Sequence, residues 1–216
     1  MLRTLIRRLA GAPPVPPPNS WEANRAYVRV HPTAIIDPSA TVKIFNPPNP
    51  PRACLEIGAG SHIFANFALL RPQATIRIGA NCQIGSSHII AAESIEIGDD
   101  VLMAWGITLM DNDSHALDWR HRRHDVRQAY DDYRADPGNL ISNKDWSQVA
   151  AGPIRVGSRS WIGFDAALLK GVTIGENAVV AAHAVVVSDV PAYGVAAGNP
   201  ARVVRQLERE GDGPAQ

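Results

Sequence analysis

The sequence predicts an all-β solenoid, a parallel β-helix of about six triangular coils, and three observations predict it. Aliphatic residues recur at every sixth position: Val156, Ile162, Leu168, Ile174, Val180 and Val186 run without a slip. The same spacing appears upstream in threes, as Val30, Ile36, Val42, then Ile57, Ile63, Leu69, then Ile78, Ile84, Ile90, then Ile97, Met103, Leu109. Glycine often follows the aliphatic residue (Gly58, Gly79, Gly85, Gly98, Gly157, Gly163, Gly175), and a small or β-branched residue often stands four places after it (Ser61, Val101, Ile107, Ser160, Ala166, Val172, Ala178, Ala184).

A period of six fits neither the 3.6 of a helix nor the simple alternation of a lone strand. It fits a short strand plus a turn, with three such units closing one triangular coil. The aliphatic residue points inward, the small residue fits the corner, and glycine is expected to ease the backbone round the turn. Stacked coils pair as parallel strands, each burying the apolar layer of the next. The prism is expected over residues 28–207.

Ahead of it, Met1 to Ala10 reads as a short basic amphipathic segment, either loosely attached or docked weakly on a membrane surface. It lacks the long apolar stretch and cleavage site of a secretion signal. Five prolines between Pro13 and Pro18 make a stiff linker, so 1–27 is expected to lie outside the prism, and 208–216 to form a flexible tail.

The beat fails in three places, and loops that leave a regular scaffold are where function concentrates. Asn46 to Arg52 is a proline-rich excursion, Pro72 to Thr75 adds three residues to a coil, and a segment of roughly forty residues separates Met110 from Pro153. The long one opens Asp111-Asn-Asp-Ser-His115-Ala-Leu-Asp118 and holds three of the seven histidines.

Charge narrows the partners. Lys plus Arg and Asp plus Glu both total 21, which gives no basic surplus for a nucleic acid or an anionic membrane. No run of about 18 to 20 apolar residues spans a bilayer. Cys54 and Cys82 sit in no metal-type spacing and make no disulfide framework, so a cytoplasmic setting is expected and no metal.

Three stretches in this order resemble the hexapeptide-repeat acyltransferases of the maltose/galactoside O-acetyltransferase type. They are Ile97-Gly-Asp-Asp with the acidic run to His115 and Asp118; Trp161-Ile-Gly163 through Gly171-Val-Thr-Ile-Gly175; and Gly198-Asn-Pro-Ala-Arg-Val-Val-Arg205. The resemblance covers roughly residues 55–207. It implies a left-handed coil, a homotrimer with each site between neighbouring prisms, and acetyl-CoA as the acyl donor. It implies His115 as the base that takes the proton from an acceptor hydroxyl, and it places the CoA contacts on Trp161, Gly163, Ala182, Arg202 and Arg205. Histidine suits that role because its ordinary pKa, about 6.5, lies near working pH.

The acceptor side departs from that family. Galactoside enzymes carry an asparagine one coil before the histidine, where this chain reads Gly85-Ser86-Ser87-His88. Ser87 and Glu93, with Asp113 of the acidic run, are the expected acceptor contacts. A saccharide unit of a surface polysaccharide or lipopolysaccharide is the expected acceptor. Two other readings use the same repeats: a non-catalytic scaffold, and a metal-dependent carbonic anhydrase, for which His88 and His115 lack a third histidine at suitable spacing.

Overall fold

A computed structural model describes residues 20–209. The basic segment and the proline linker up to residue 19, and the tail from residue 210, lie outside the described residues. Three parallel sheets form the faces of a prism, and every third strand returns to the same face one rung further along. The first and third faces have six strands each; the second has eight, the last two being a closing hairpin.

The inward ladders are the residues that keep the beat. On the first face Ile57, Ile78, Ile97, Val156 and Ile174 stack in register, and on the second Ile36, Ile63, Ile84, Met103, Ile162 and Val180. Leu109, Leu168 and Val186 do so on the third. From Ile57 onward these side chains are 4% exposed or less, so the core is one column of apolar layers. The small corner residues named above are buried as well. Ser61 and Ser160 satisfy their hydroxyls on the carbonyls of Gly79 and Gly175 at 2.9 and 3.0 Å.

The glycines act for another reason than the one expected. None of the seven that follow the beat has a positive φ; the left-handed residues lie two places further on, at Asn81, Asp100, Arg159, Asp165 and Asn177. What the glycines lack is room. A Cβ on Gly163 would sit 2.5 Å from the Ala182 nitrogen, and one on Gly79 2.6 Å from the Gly98 oxygen. Corner backbone rests directly on corner backbone of the next coil.

One position of the beat is corrected. Ile89, fully buried, pairs with Phe67 and Leu109 on the inner ladder, while Ile90 pairs with Ala68 and Met110 and faces outward. The step from Ile84 to Ile89 is one residue shorter than that from Met103 to Leu109, and a one-residue slip turns every side chain of a strand to the opposite face; the step from Ile63 to Phe67 is two shorter, which leaves Leu69 facing inward.

Both ends of the prism are covered. Trp21 packs edge-on against Phe67, ring centres 5.9 Å apart, and donates from Nε1 to the Ala40 carbonyl at 2.9 Å. Asn24 donates to the Val42 carbonyl at 3.1 Å. Residues 20–27 therefore belong to the prism as its first cap, where the sequence placed them in the linker. At the other end Gly194–Gly198 pairs antiparallel with Ala201–Gln206.

Outward on the first face, Arg29, Glu56, Arg77, Glu96 and Arg155 stand in one column with alternating sign. Successive pairs approach to 3.8, 4.0, 3.8 and 3.6 Å. Cys54 and Cys82 are free and buried, and burial pushes both thiols above their ordinary pKa. Among the described residues no helix is long and apolar enough to cross a membrane.

Candidate active site

The long loop leaves the prism after Met110 and returns at Ile154, and its root is tightly fixed. Asp111 is fully buried and accepts from the backbone N–H groups of Ala92 and Glu93, at 2.6 and 2.8 Å, and from Asn112 at 3.0 Å. Burial, the largest influence, pushes its carboxyl above the ordinary pKa despite these three donors. The strands of the root are tied together where Gly152 donates to the Asp111 carbonyl at 2.8 Å and Asp113 to that of Ala150 at 2.9 Å. Ser114 then turns at φ 59°, and His115 N–H reaches back to the Asp113 carbonyl at 2.6 Å. The acidic run thus builds a rigid turn that presents His115 at the corner between the third and first faces.

Beyond it come two helices, α1 (Trp119–Arg122) and α2 (Asp125–Ala135). Asp118 caps α1 by accepting from the Arg120 backbone at 2.8 Å. Asp132 on α2 is 2% exposed and accepts from Gln128 at 2.9 Å and from Asn143 at 3.0 and 2.8 Å, which folds the return segment against the helix. Burial works to raise its pKa, but the Asn143 and Gln128 donors outweigh that and hold the carboxyl low. The loop then reaches down its own third face to the first coil. Asn139 donates to the Phe45 carbonyl at 3.1 Å, Asn46 to that of Ile141 at 3.5 Å, and Lys43 to that of Gly138.

His115 Nδ1 lies 2.5 Å from Asp125 Oδ2 in the first turn of α2, and Lys144 Nζ reaches the same oxygen at 2.8 Å. The Lys144 side chain is 8% exposed and Asp125 17%, while that of His115 stays 56% open. Burial works to raise the Asp125 pKa, but the Lys144 and His115 hydrogen bonds prevail and hold the carboxyl below its ordinary range. Lys144 Nζ also lies 3.3 Å from Nδ1, but Asp125 Oδ2 is the nearer partner, and an ionised Asp125 accepting from Nδ1–H favours, in a neutral imidazole, the tautomer whose Nε2 is an open proton acceptor. Together the three groups carry no net charge when the imidazole is neutral.

Between loop and third face lies a cavity of about 550 Å³, with His115, Asp125 and Lys144 in its wall. Its floor is the outward column Ala68, Ile90 and Met110. His121, His124, Gln128, Asn143 and Asp145 supply polar groups from the loop side.

The expected donor residues gather elsewhere on the chain. Trp161 stands in the outward column of the second face, Gly163 and Ala182 at the corner of the second and third faces, all lining a second cavity of about 580 Å³. Trp105 and Phe164 stack beside them with ring centres 5.7 Å apart. The Trp161 column continues through Val179 and Val195 to Arg205, and Arg202 lies on the same closing hairpin. These five residues lie on the second face and its edge with the third, and His115 sits at a different corner.

The expected acceptor contacts do not converge on His115. Ser87 is corrected: it is 1% exposed and its hydroxyl donates to the Ala104 carbonyl at 3.3 Å, the corner role of Ser61 and Ser160. Asp113 is engaged by Lys170 at 2.6 Å, and Glu93 sits beside Asp111 at the loop root; neither lines the cavity. Asp125 and Lys144 were not found from sequence. Among the described residues no three or more His, Cys, Asp or Glu side chains gather in a metal-holding group.

Family models match two stretches of the prism. One, described as bacterial transferase hexapeptide (six repeats), matches residues 153–188, and one for the hexapeptide repeat of succinyl-transferase matches 75–110. Both stretches of the prism therefore carry the hexapeptide repeat of these transferase models. Among such proteins it is 33% identical over 165 residues to a probable acetyltransferase of Mycobacterium tuberculosis, covering 74% of this chain and 48% of that one. It is 30% identical over 147 residues to the galactoside O-acetyltransferase of Escherichia coli, covering 65% and 61%. The chain thus spans about half the length of the first relative and less than two thirds of the second. In fold, this hexapeptide-repeat chain matches a variant of an N-acyltransferase from Bacillus cereus solved with dTDP and coenzyme A, with a TM-score of 0.62, 20% identity, and 88% and 91% of the two chains covered.

Proposed function

We propose that this protein is an acetyl-CoA-dependent O-acetyltransferase in which His115 is the general base. The observation that carries the reading is the His115–Asp125 contact at 2.5 Å, set in the wall of a cavity large enough for an acceptor. The acceptor hydroxyl attacks the thioester carbonyl carbon while its proton passes to His115 Nε2. The tetrahedral intermediate then collapses, the C–S bond breaks, and the CoA sulfur takes the proton back from the imidazolium. Asp125 balances the positive charge that His115 carries between those two steps.

Acetyl-CoA is assigned to the second face, with Trp161, Gly163, Ala182 and the Arg202–Arg205 hairpin as contacts. Supporting this are the cavity that Trp161, Gly163 and Ala182 line and, on the closing hairpin of the same sheet, two guanidinium groups suited to CoA phosphates. Because that face and His115 occupy different corners of one prism, a homotrimer is inferred in which one chain's second face meets a neighbour's His115. The left hand of the coil is inferred, with the hexapeptide repeats in support. A saccharide acceptor, as in surface polysaccharide or lipopolysaccharide synthesis, is inferred, with His121, His124, Gln128, Asn143 and Asp145 in the contact role first given to Ser87. The cytoplasm, where acetyl-CoA is made and thiols stay reduced, is the inferred setting.

The deciding experiment follows thiol release from acetyl-CoA over a panel of nucleotide sugars and oligosaccharides. His115→Ala is expected to lower kcat by about 10²–10⁴ with the fold intact. Equal activity in the variant defeats the role given to His115, and no thiol release on any acceptor leaves a binding scaffold.

A further inference from the structure

The cavity beside His115 changes character along its length. At the fourth coil it is bounded by His115, Asp125, Lys144 and Asp145, groups that hold a hydroxyl and its neighbours. Towards the first coil the wall becomes Phe45, Leu70, Leu140 and Ile141, with Ala68 and Ile90 as floor. That far end is built, since the Asn139 bond to Phe45 and the Asn46 bond to Ile141 fix the roof over the first coil.

A sugar hydroxyl set against Phe45 and Ile141 gives up water and gains no partner, which costs free energy. An apolar group there gains roughly fourfold in affinity for each methylene buried, from about 0.8 kcal/mol apiece. At about 550 Å³ the space matches a drug-sized molecule. Its apolar end also points away from the donor, whose contacts lie on the fifth and sixth coils and the closing hairpin. The displacement of Ile90 from the core to the outer face contributes directly to this floor.

We propose that the acceptor is an amphipathic alcohol. Its hydroxyl-bearing polar part sits at His115, and its alkyl or aryl part lies along the third face beneath Leu140 and Ile141. This rests on the reading of His115 as the base of an acetyl transfer. The other candidate occupant, an acyl tail longer than acetyl, is an outcome of the test.

The test uses the full chain and matched pairs of methyl and hexyl β-glucosides and β-galactosides. Binding is followed through the fluorescence of Trp146, which lines the cavity, with Trp146→Phe as the baseline. Turnover is followed by thiol release from acetyl-CoA. The hexyl member of a pair is expected to bind at least about tenfold more tightly than the methyl member. Ala68→Phe, which fills the floor, is expected to abolish that advantage, its fold being checked by circular dichroism. Equal affinity of the two members in the unmodified protein overturns the proposal, whatever the variant does. So does a preference for hexanoyl-CoA over acetyl-CoA that disappears in Ala68→Phe, because the cavity then holds the donor's tail. Tighter hexyl binding with no turnover on any acceptor upholds the apolar site and defeats the acetyl-transfer reading. Turnover with identical methyl and hexyl KM values does the reverse.

Discussion

Replacing Asp125 by asparagine tests the centre of the mechanism. In the native site the carboxylate accepts from His115 Nδ1 at 2.5 Å and from Lys144 Nζ at 2.8 Å. The amide keeps a carbonyl oxygen that can still accept from Nδ1–H, so the tautomer survives. What is lost is the charge. A hydrogen bond to a charged group contributes about 1.5–3 kcal/mol, and a neutral acceptor roughly half of that. Lys144, 8% exposed, is left as a cation facing the imidazolium that forms during transfer. A loss of about 2–3 kcal/mol in transition-state stabilisation follows, or roughly 30–150-fold in kcat/KM. The same variant carries a pH signature in stability. The folded-state pKa of Asp125 is depressed, so its contribution is present above the unfolded value near 3.9 and is lost as pH falls through the folded value. The gap in Tm between the native protein and Asp125→Asn is therefore expected at pH 7 and expected to close in acid below about pH 4. Initial rates and thermal unfolding at both pH values provide the measurement. Activity within threefold of the native enzyme, or a Tm gap that persists unchanged into acid, refutes the role given to Asp125.

Three further outcomes follow. Gly163→Ala forces a Cβ to within 2.5 Å of the Ala182 nitrogen, so it is expected to cost about 1–3 kcal/mol and lower Tm; an unchanged Tm contradicts the packing account of the corner glycines. Glu56→Lys puts a cation between Arg29 and Arg77, and the exposure of that column limits the loss to under about 1 kcal/mol, recovered in about 1 M salt; salt-independent destabilisation contradicts it. Arg205→Ala is expected to raise KM for acetyl-CoA about tenfold, near 1.4 kcal/mol, with little change in kcat, and an unaltered KM removes Arg205 from the donor site.

The prism was legible because its grammar is local and repeated. Each inward aliphatic and each corner residue meets the same neighbours one coil away, so position alone reports environment. The reading failed where a corner is shortened: Ile84 to Ile89 dropped one residue, and Ile90, apolar and apparently on the beat, turned outward. It also misjudged the glycines, because a spacing cannot distinguish a need for unusual backbone torsion from a want of space beneath Cβ. At the candidate site, the sequence pointed to His115 through the resemblance of its acidic run. Asp125 and Lys144 were not, since they meet only through the fold of a loop that has no period. The apolar residues of α2 point the wrong way for pattern reading, with Val126, Tyr130 and Tyr133 all exposed. The one available cue was Asp125 itself, the first acid after the basic run Arg120–His124 and the start of a helix, where negative charge is favoured.

The alternating column on the first face also gives the stack a parity. Rungs carrying arginine and rungs carrying glutamate take turns from Arg29 to Arg155, so duplicating a single coil sets like charges edge to edge, while duplicating two restores the sequence of signs. A chain of this kind is easiest to lengthen or shorten by two turns at a time. The same rule discourages one unfolding copy from lending a coil to another out of step.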